Sequence, residues 1–286
     1  MNAFVCKTLN RLRIIKYFNA SVQLGRVRVP VLRGLGVAHL YEHEPWLTPL
    51  LRTLLTHRSG AFVDVGVNIG QTLIKVLKCD PTRKYYGFEP NPICYDYVRR
   101  LKELTNLGNV CLVPVGLSNR THMGQLFGNS LTDPGATTIK GFRGSENDDN
   151  SQFVPLCKGD DLLSTSLDIA LVKIDVEGAE LEVLQGLSET LHRCRPFVLC
   201  EVLPIYDEST EIGKKRRVRA DELLSIIQSL EYKTVRLLHD GKMVPLETIE
   251  THGILDFSDY LFCPTEAANC LVGPEYHDQR SLTARI

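Results

Sequence analysis

The 286-residue chain has no apolar run long enough to form a membrane-spanning helix. It carries no internal repeat. Its nine cysteines are odd in number, and none form a Cys-x-x-Cys pair. A zinc site and a disulfide framework are therefore both disfavoured. Cys111, Cys200 and Cys263 lie inside apolar runs, the usage of reduced, core-packing thiols in a cytoplasmic protein. Neither sign of charge dominates: 33 Lys and Arg face 34 Asp and Glu, for a net charge of -1. With 43% hydrophobic residues, the chain is neither disordered nor built around a polyanion, and nucleic acid is a disfavoured partner. The length fits one domain with additions and a large buried core.

One local absence stands out. Residues 1–40 hold seven cations (Lys7, Arg11, Arg13, Lys16, Arg26, Arg28 and Arg33) and no Asp or Glu. Val5, Leu9, Leu12 and Ile15 can form an apolar stripe on a helix. The plainest reading is an N-terminal helix and strand packed on the domain, with a basic outer face. The second is a basic amphipathic segment in peripheral contact with a membrane surface or an anionic, lipid-linked substrate. An organellar transit peptide is third, favoured by the missing acids but not by the scarcity of Ser. A secretory signal fits poorly, because charges interrupt the apolar stretch.

The most informative stretch is Ala61–Gly70. Ala61-Phe62-Val63 opens a strand, the chain turns at Gly66 and Gly70, and Gln71–Leu77 continues as a helix. A strand, a glycine turn and a helix N-terminus make a cradle for a nucleotide-type ligand: backbone can approach closely, and free N–H groups can donate. The spacing is Asp-x-Gly-x-x-x-Gly rather than the Gly-x-Gly-x-x-Gly of dinucleotide sites, so a nicotinamide dehydrogenase is disfavoured. The loop resembles the S-adenosylmethionine loop of class I methyltransferases. An acid before the first glycine suits a ligand carrying an ammonium and a sulfonium. A second acid, Glu89, ends the run Tyr85–Phe88, 25 residues after Asp64. A carboxylate at that strand tip can accept hydrogen bonds from both ribose hydroxyls. Pro90-Asn91-Pro92 then leads into a helix.

Further along, helices are expected over Leu47–Thr56, to about Lys78, and over Ile93–Leu104, with strands near Lys84–Phe88 and Val110–Val113. Leu117–Lys158 is rich in glycine and holds the polar run Ser145–Gln152. It reads as loops or a short hairpin inserted after the third strand, either a lid over the ligand crevice or a surface excursion. Strands follow at Ile169–Ile174, Phe197–Cys200, Thr234–Leu238 and Tyr260–Cys263, with helices at Ala179–Gln185 and Ala220–Ser229. The alternation implies an α/β fold with a parallel, doubly wound sheet. Lys214-Lys215-Arg216-Arg217 lacks interleaved aromatics and reads as a solvated loop. The expected organisation is an N-terminal extension over residues 1–58, a catalytic-type domain over 59–265 with the insertion at 117–158, and a tail over 266–286.

A second acidic constellation gathers at the carboxyl edge of the sheet. Lys173-Ile174-Asp175-Val176-Glu177-Gly178-Ala179-Glu180 closes one strand, and Glu201 closes the next. Asp64–Gly70, Glu89–Pro92, Lys173–Gly186 and Leu199–Val202 together resemble the FkbM family of S-adenosylmethionine-dependent methyltransferases, over about residues 60–205. The resemblance implies a Rossmann-like class I sheet with helices on both faces, one antiparallel late strand, and O-methylation of a hydroxyl on a sugar, glycolipid or secondary metabolite. It maps Asp64, Gly66, Asn68 and Gly70 to the cofactor loop and Glu89 to the ribose. It maps Asp175 and Glu177 to the active edge. Pro114–Ser118 departs from the acidic or Asn adenine contact, which leaves Ser118 or Asn119 for that role.

Methyl transfer to a hydroxyl needs alignment, exclusion of water and removal of a proton. Asp175 is the first candidate for base or substrate anchor and Glu201 the second, followed by His239 and His252. Lys173 has the same side-chain parity as Asp175 and is placed to pair with an acid. Asp175 and Glu201 could instead hold Mg²⁺, but no third ligand is evident and metal dependence is not favoured. Glu180 fits ordinary N-terminal helix charge. No Asn-Pro-Pro-Tyr motif follows the fourth strand, which disfavours amino-group methylation. The competing reading is a non-catalytic binding or assembly protein that keeps the fold.

Overall fold

The structure, a computed structural model, describes residues 2–129, 133, 135–142 and 151–271. Most of the polar run Ser145–Gln152 and of the expected C-terminal tail therefore lies outside the described residues.

An N-terminal module comes first. Helix α1 (Ala3–Arg11) is followed by a hairpin of β1 (Asn19–Leu24) and β2 (Val27–Leu32), then by a one-turn 3₁₀ helix at Val37–Leu40. Cys6, Ile15, Val22, Val31, Val37 and Leu40 form its own small core. The hairpin is tied to the main domain by Tyr97, whose hydroxyl donates to Pro30 O at 2.6 Å.

The main domain alternates strand and helix. Its elements are α2 (Leu47–His57), β3 (Ala61–Val65), α3 (Gln71–Cys79), β4 (Tyr85–Phe88), α4 (Pro92–Thr105) and β5 (Val110–Val113). Next come three strands of the insertion: β6 (Gly116–Ser118), β7 (His122–Leu126) and β8 (Gln152–Lys158). The second half runs α5 (Gly159–Leu162), β9 (Ile169–Ile174), α6 (Glu180–Gly186), α7 (Ser188–Cys194), β10 (Phe197–Glu201) and α8 (Glu211–Ser229). Strands β11 (Tyr232–Leu237), β12 (Met243–Leu246) and β13 (Asp259–Pro264) and helix α9 (Thr265–Leu271) follow.

Eight strands form one sheet in the order β12-β11-β13-β10-β9-β3-β4-β5. Strands β5, β4, β3, β9 and β10 are parallel, and β13 runs antiparallel between β10 and β11. This is the class I methyltransferase sheet with its antiparallel late strand. Strand β12 adds a short antiparallel edge to β11. The central strands are buried on both faces, so they read as apolar runs interrupted only by Asp64 in β3 and Lys173 in β9. One face packs on α2, α3 and α4 through Leu51, Leu54, Leu73 and Leu101. The other packs on α6, α7 and α8 through Leu184, Leu191, Leu223 and Ile227.

The insertion is a separate three-stranded sheet in the order β6-β8-β7. Two local readings are corrected. The Lys214–Arg217 run is not a loop but the start of α8, because Thr210 caps the helix by accepting from Gly213 N at 3.0 Å. Arg216 there is buried, its guanidinium donating to Pro204 O at 2.7 Å and Phe142 O at 2.9 Å. Cys111, unlike Cys200 and Cys263, is exposed, since it lies on the edge strand β5.

Candidate active site

Three loops leave the carboxyl ends of β3, β4 and β9 and surround a cavity of about 350 Å³. The loop after β3 is drawn tightly against its neighbours. Gly66 N donates to Phe88 O at 3.0 Å, and Asp175 N donates to Val65 O at 3.0 Å. Gly66 has φ +89, and a Cβ there would lie 1.9 Å from Asp175 O. Only glycine lets these two loops close so far. Asn68 also takes the left-handed conformation, with φ 52. Gly70 caps α3, so that Gln71 and Thr72 at the helix start line the cavity.

Glu89 closes the same end. Its Oε2 accepts from Asn68 N at 2.7 Å and its Oε1 from Asn91 N at 2.8 Å. Two backbone donors hold the carboxyl in one orientation, with lone pairs left for a ligand. Burial raises its pKa to about 7, against the pull of those N–H groups. Asn91 serves twice, because its side chain also caps α4 by accepting from Ile93 N and Cys94 N.

The other end of the cavity is acidic. Asp175, Glu177 and Glu201 line it, with Glu44 and His43 from the segment before α2. Lys173 is the cation among them, donating to Asp175 Oδ2 at 2.8 Å. Although burial opposes its charge, Asp175 and Asp64 hold its pKa above the ordinary lysine value. Glu201 is pushed up to about 9 by burial first, then by Asp175, Asp259 and Glu177. Glu177 (φ 59) and Gly178 (φ 115) make a left-handed turn that sends the chain from β9 into α6. A Cβ on Gly178 would lie 2.2 Å from Phe142 Cδ1. The far end of the insertion is therefore seated directly on the Glu177–Gly178 turn. Arg216 and Arg219 stand over the Phe142 ring at 5.2 and 5.6 Å. Leu126, Ala136, Thr138 and Leu156 of the insertion line the cavity.

With this geometry in view, known proteins are informative. A family model described as the methyltransferase FkbM domain matches residues 64–234, more than half of the chain. The chain belongs to the FkbM methyltransferase family. Over 158 residues it is 32% identical to methyltransferase sdnD of Sordaria araneosa, covering 44% of this chain and 60% of that protein. It is 30% identical over 144 residues to the hexuronic acid methyltransferase AglP of Haloferax volcanii, covering 49% of this chain and 54% of the relative. The chain thus spans little more than half the length of these curated relatives. A solved FkbM methyltransferase from Methylobacillus flagellatus superposes with a TM-score of 0.43 at 15% identity, covering 71% of this chain and 43% of that one. The strand order β12-β11-β13-β10-β9-β3-β4-β5 is what defines the fold.

Within this FkbM domain, Gly66, Asn68, Glu89, Asp175, Glu177 and Glu201 line one cavity. Asp64, Gly70 and Ser118 do not. Asp64 is fully buried below the loop, where its Oδ2 accepts from the Tyr85 hydroxyl. Burial raises its pKa to about 6, against the opposing pull of Lys173 and Tyr85. Gly70 acts through the backbone as the α3 cap. Ser118 is buried in β6, and its neighbours Gly116 and Leu117 reach the cavity in its place. Asn119 is exposed and donates to Gln185 Oε1 at 2.8 Å. His239 bonds Asp259 at 2.9 Å and stacks on Trp46 at 4.9 Å, outside the cavity lining, and His252 is outside it too. Glu180 is buried rather than a solvated helix charge. Its Oε1 accepts from Gly178 N at 2.8 Å, and burial raises its pKa to about 7. His43 and Glu44 carried no motif. The signal for them was weak, a Glu-Pro-Trp entry to α2 whose long-range partner, Lys75, lies on α3.

Proposed function

We propose that this chain is an S-adenosylmethionine-dependent O-methyltransferase acting on a hydroxyl of a sugar, glycolipid or secondary metabolite. The observation that carries the reading is the division of one cavity into two ends. One end offers the Glu89 carboxyl and the N-terminus of α3. The other gathers Asp175, Glu177 and Glu201 near the Lys173 ammonium, which pairs with Asp175, and Glu44 beside them pairs with Lys75 of α3. An adenosyl group fits the first and a sulfonium-bearing cation the second. The volume is within the roughly 300–1,000 Å³ of small-molecule sites. When bound, the cofactor supplies an electrophilic methyl group.

The residues of the chain have distinct parts in this reading. Glu89 accepts from the ribose hydroxyls, and Gly66 and Asn68 let the loop backbone pass close to the ligand. Asp175, fixed by Lys173, accepts the proton of the acceptor hydroxyl. Glu201 is protonated near neutrality and donates a hydrogen bond that orients the acceptor. Glu177 adds negative charge beside the sulfonium. The insertion seated on Gly178 keeps water from the reacting atoms. The named activity of one relative, methylation of a hexuronic acid, favours a sugar acceptor.

The test is methyl transfer from labelled S-adenosylmethionine to a panel of uronic acids, neutral sugars and glycolipids, with and without Mg²⁺. Transfer to a hydroxyl, lost in Asp175→Asn, supports the reading. Cofactor binding without turnover on any acceptor favours the non-catalytic alternative.

A further inference from the structure

Helix α1 buries one side and leaves a second apolar side open. Cys6 is fully buried, and Ala3 and Leu9 pack beside it on the small N-terminal core. At about 100° per residue, Phe4, Val5 and the cap residue Leu12 share a different arc roughly 100° wide. Phe4 is 76% exposed and Leu12 63%. The apolar exposure continues through Ile14, Tyr17 and Phe18, with Tyr17 at 73%. Phe4, Leu12 and Tyr17 thus stand largely in solvent within fifteen residues, with Val5, Ile14 and Phe18 partly exposed beside them, a contiguous apolar patch rather than scattered single residues.

Cations are threaded through the same stretch. Arg11, Arg13 and Lys16 are exposed, Lys7 borders them, and residues 1–40 contain no carboxylate to neutralise them. Among the described residues, no helix is long and apolar enough to cross a membrane. Exposed apolar side chains interleaved with unopposed positive charge fit an anionic lipid surface. The apolar groups enter the headgroup–acyl boundary, and the cations meet the lipid phosphates. Nucleic acid would use the cations and the aromatic rings but offers nothing to Val5, Leu12 and Ile14.

We propose that residues 4–18 dock this protein on anionic membrane surfaces without spanning them. The docking segment packs on the 3₁₀ helix Val37–Leu40, and the chain then runs directly to His43 and Glu44 at the cavity.

The test is co-sedimentation of the full chain with vesicles of two parts phosphatidylcholine to one part phosphatidylglycerol, beside pure phosphatidylcholine vesicles. Binding is expected to the anionic vesicles alone and to weaken with added salt. Phe4→Glu with Leu12→Glu should lower it by about tenfold or more. Arg11→Glu with Lys16→Glu should do so independently, and both pairs alter exposed positions. Thermal melting confirms that each variant folds. Equal partition to both vesicle types, or none to either, overturns the proposal. Retention of binding in both folded variants overturns it as well. So does binding of single-stranded RNA in place of vesicles.

Discussion

Lys173 Nζ lies 2.8 Å from Asp175 Oδ2, with both residues on the same face of the sheet where β9 ends. The lysine also feels Asp64 and Glu44, and Lys75, paired with Glu44, shares in offsetting them. Lys173→Met removes the ammonium charge, leaves Asp175 without its ion-pair partner and takes from the buried Asp64 its largest favourable interaction. The expected cost is about 3–5 kcal/mol of stability, the range for breaking a buried pair from one side. Urea unfolding of the variant beside wild type measures it. The double variant Lys173→Met with Asp175→Leu should recover part of the loss.

The close approach of Gly66 to Asp175 O gives a second outcome. Gly66→Ala forces a side chain into left-handed backbone and against a carbonyl. A loss of about 2–4 kcal/mol is expected from backbone strain and overpacking together. Gly108→Ala, where a Cβ meets nothing within 4 Å, is the matched control and should be close to neutral.

The anchor of the insertion predicts a split between stability and acceptor kinetics. Arg216 holds the carbonyls of Phe142 and Pro204. Arg216→Met should cost about 1.5–3 kcal/mol, as expected for a hydrogen bond to a charged group. It should also raise the acceptor KM more than the cofactor KM, because the insertion is loosened while the Glu89 end is not. Equal effects on both would place Arg216 in the general scaffold only.

The ligand-free protein should lose stability as pH rises from 6.5 to 9. Glu89 and Glu180 are raised to about 7 and Glu201 to about 9, chiefly by burial. Each holds its proton more tightly folded than unfolded. The native state therefore binds more protons in this window, and unfolding free energy falls with pH. His39 works in the opposite direction. Its pKa is lowered to about 4 by burial, so its opposing contribution fades about one unit above the ordinary value of 6.5 and the upper part of the range is left to the carboxyls. Melting temperatures across this range check the sign, and Glu201→Gln should flatten the upper part of the curve.

Much of this architecture is legible in the residues because it is local. Ala61–Gly70 announces strand, turn and helix through glycine spacing, and Asn91-Pro92 announces the cap of α4. Asp175, Glu177, Glu89 and Glu201 fall at strand ends, and parallel strands bring such ends to one edge. Long-range partners are less legible. Nothing near Arg216 in the sequence says that its guanidinium will be buried between the carbonyls of residues 142 and 204. His43 and Glu44 reach the cavity from the segment before α2, where Glu44 pairs with the distant Lys75 of α3. Strand β12 had a readable sign in Asp240-Gly241, a hairpin-type dipeptide between β11 and Met243–Leu246. Asp64 carries the motif yet lies under the loop, since its parity turns it towards Tyr85 rather than the ligand.

The central claim is that this cavity takes an S-adenosyl cofactor through Glu89. Calorimetric titration of the full chain with S-adenosylmethionine and S-adenosylhomocysteine, beside Glu89→Ala, tests it most directly. The account predicts saturable binding of both ligands by wild type, weakened by about tenfold or more in a variant that still folds. A well-folded wild type that binds neither ligand, or a Glu89→Ala variant that binds both as tightly as wild type, would contradict it.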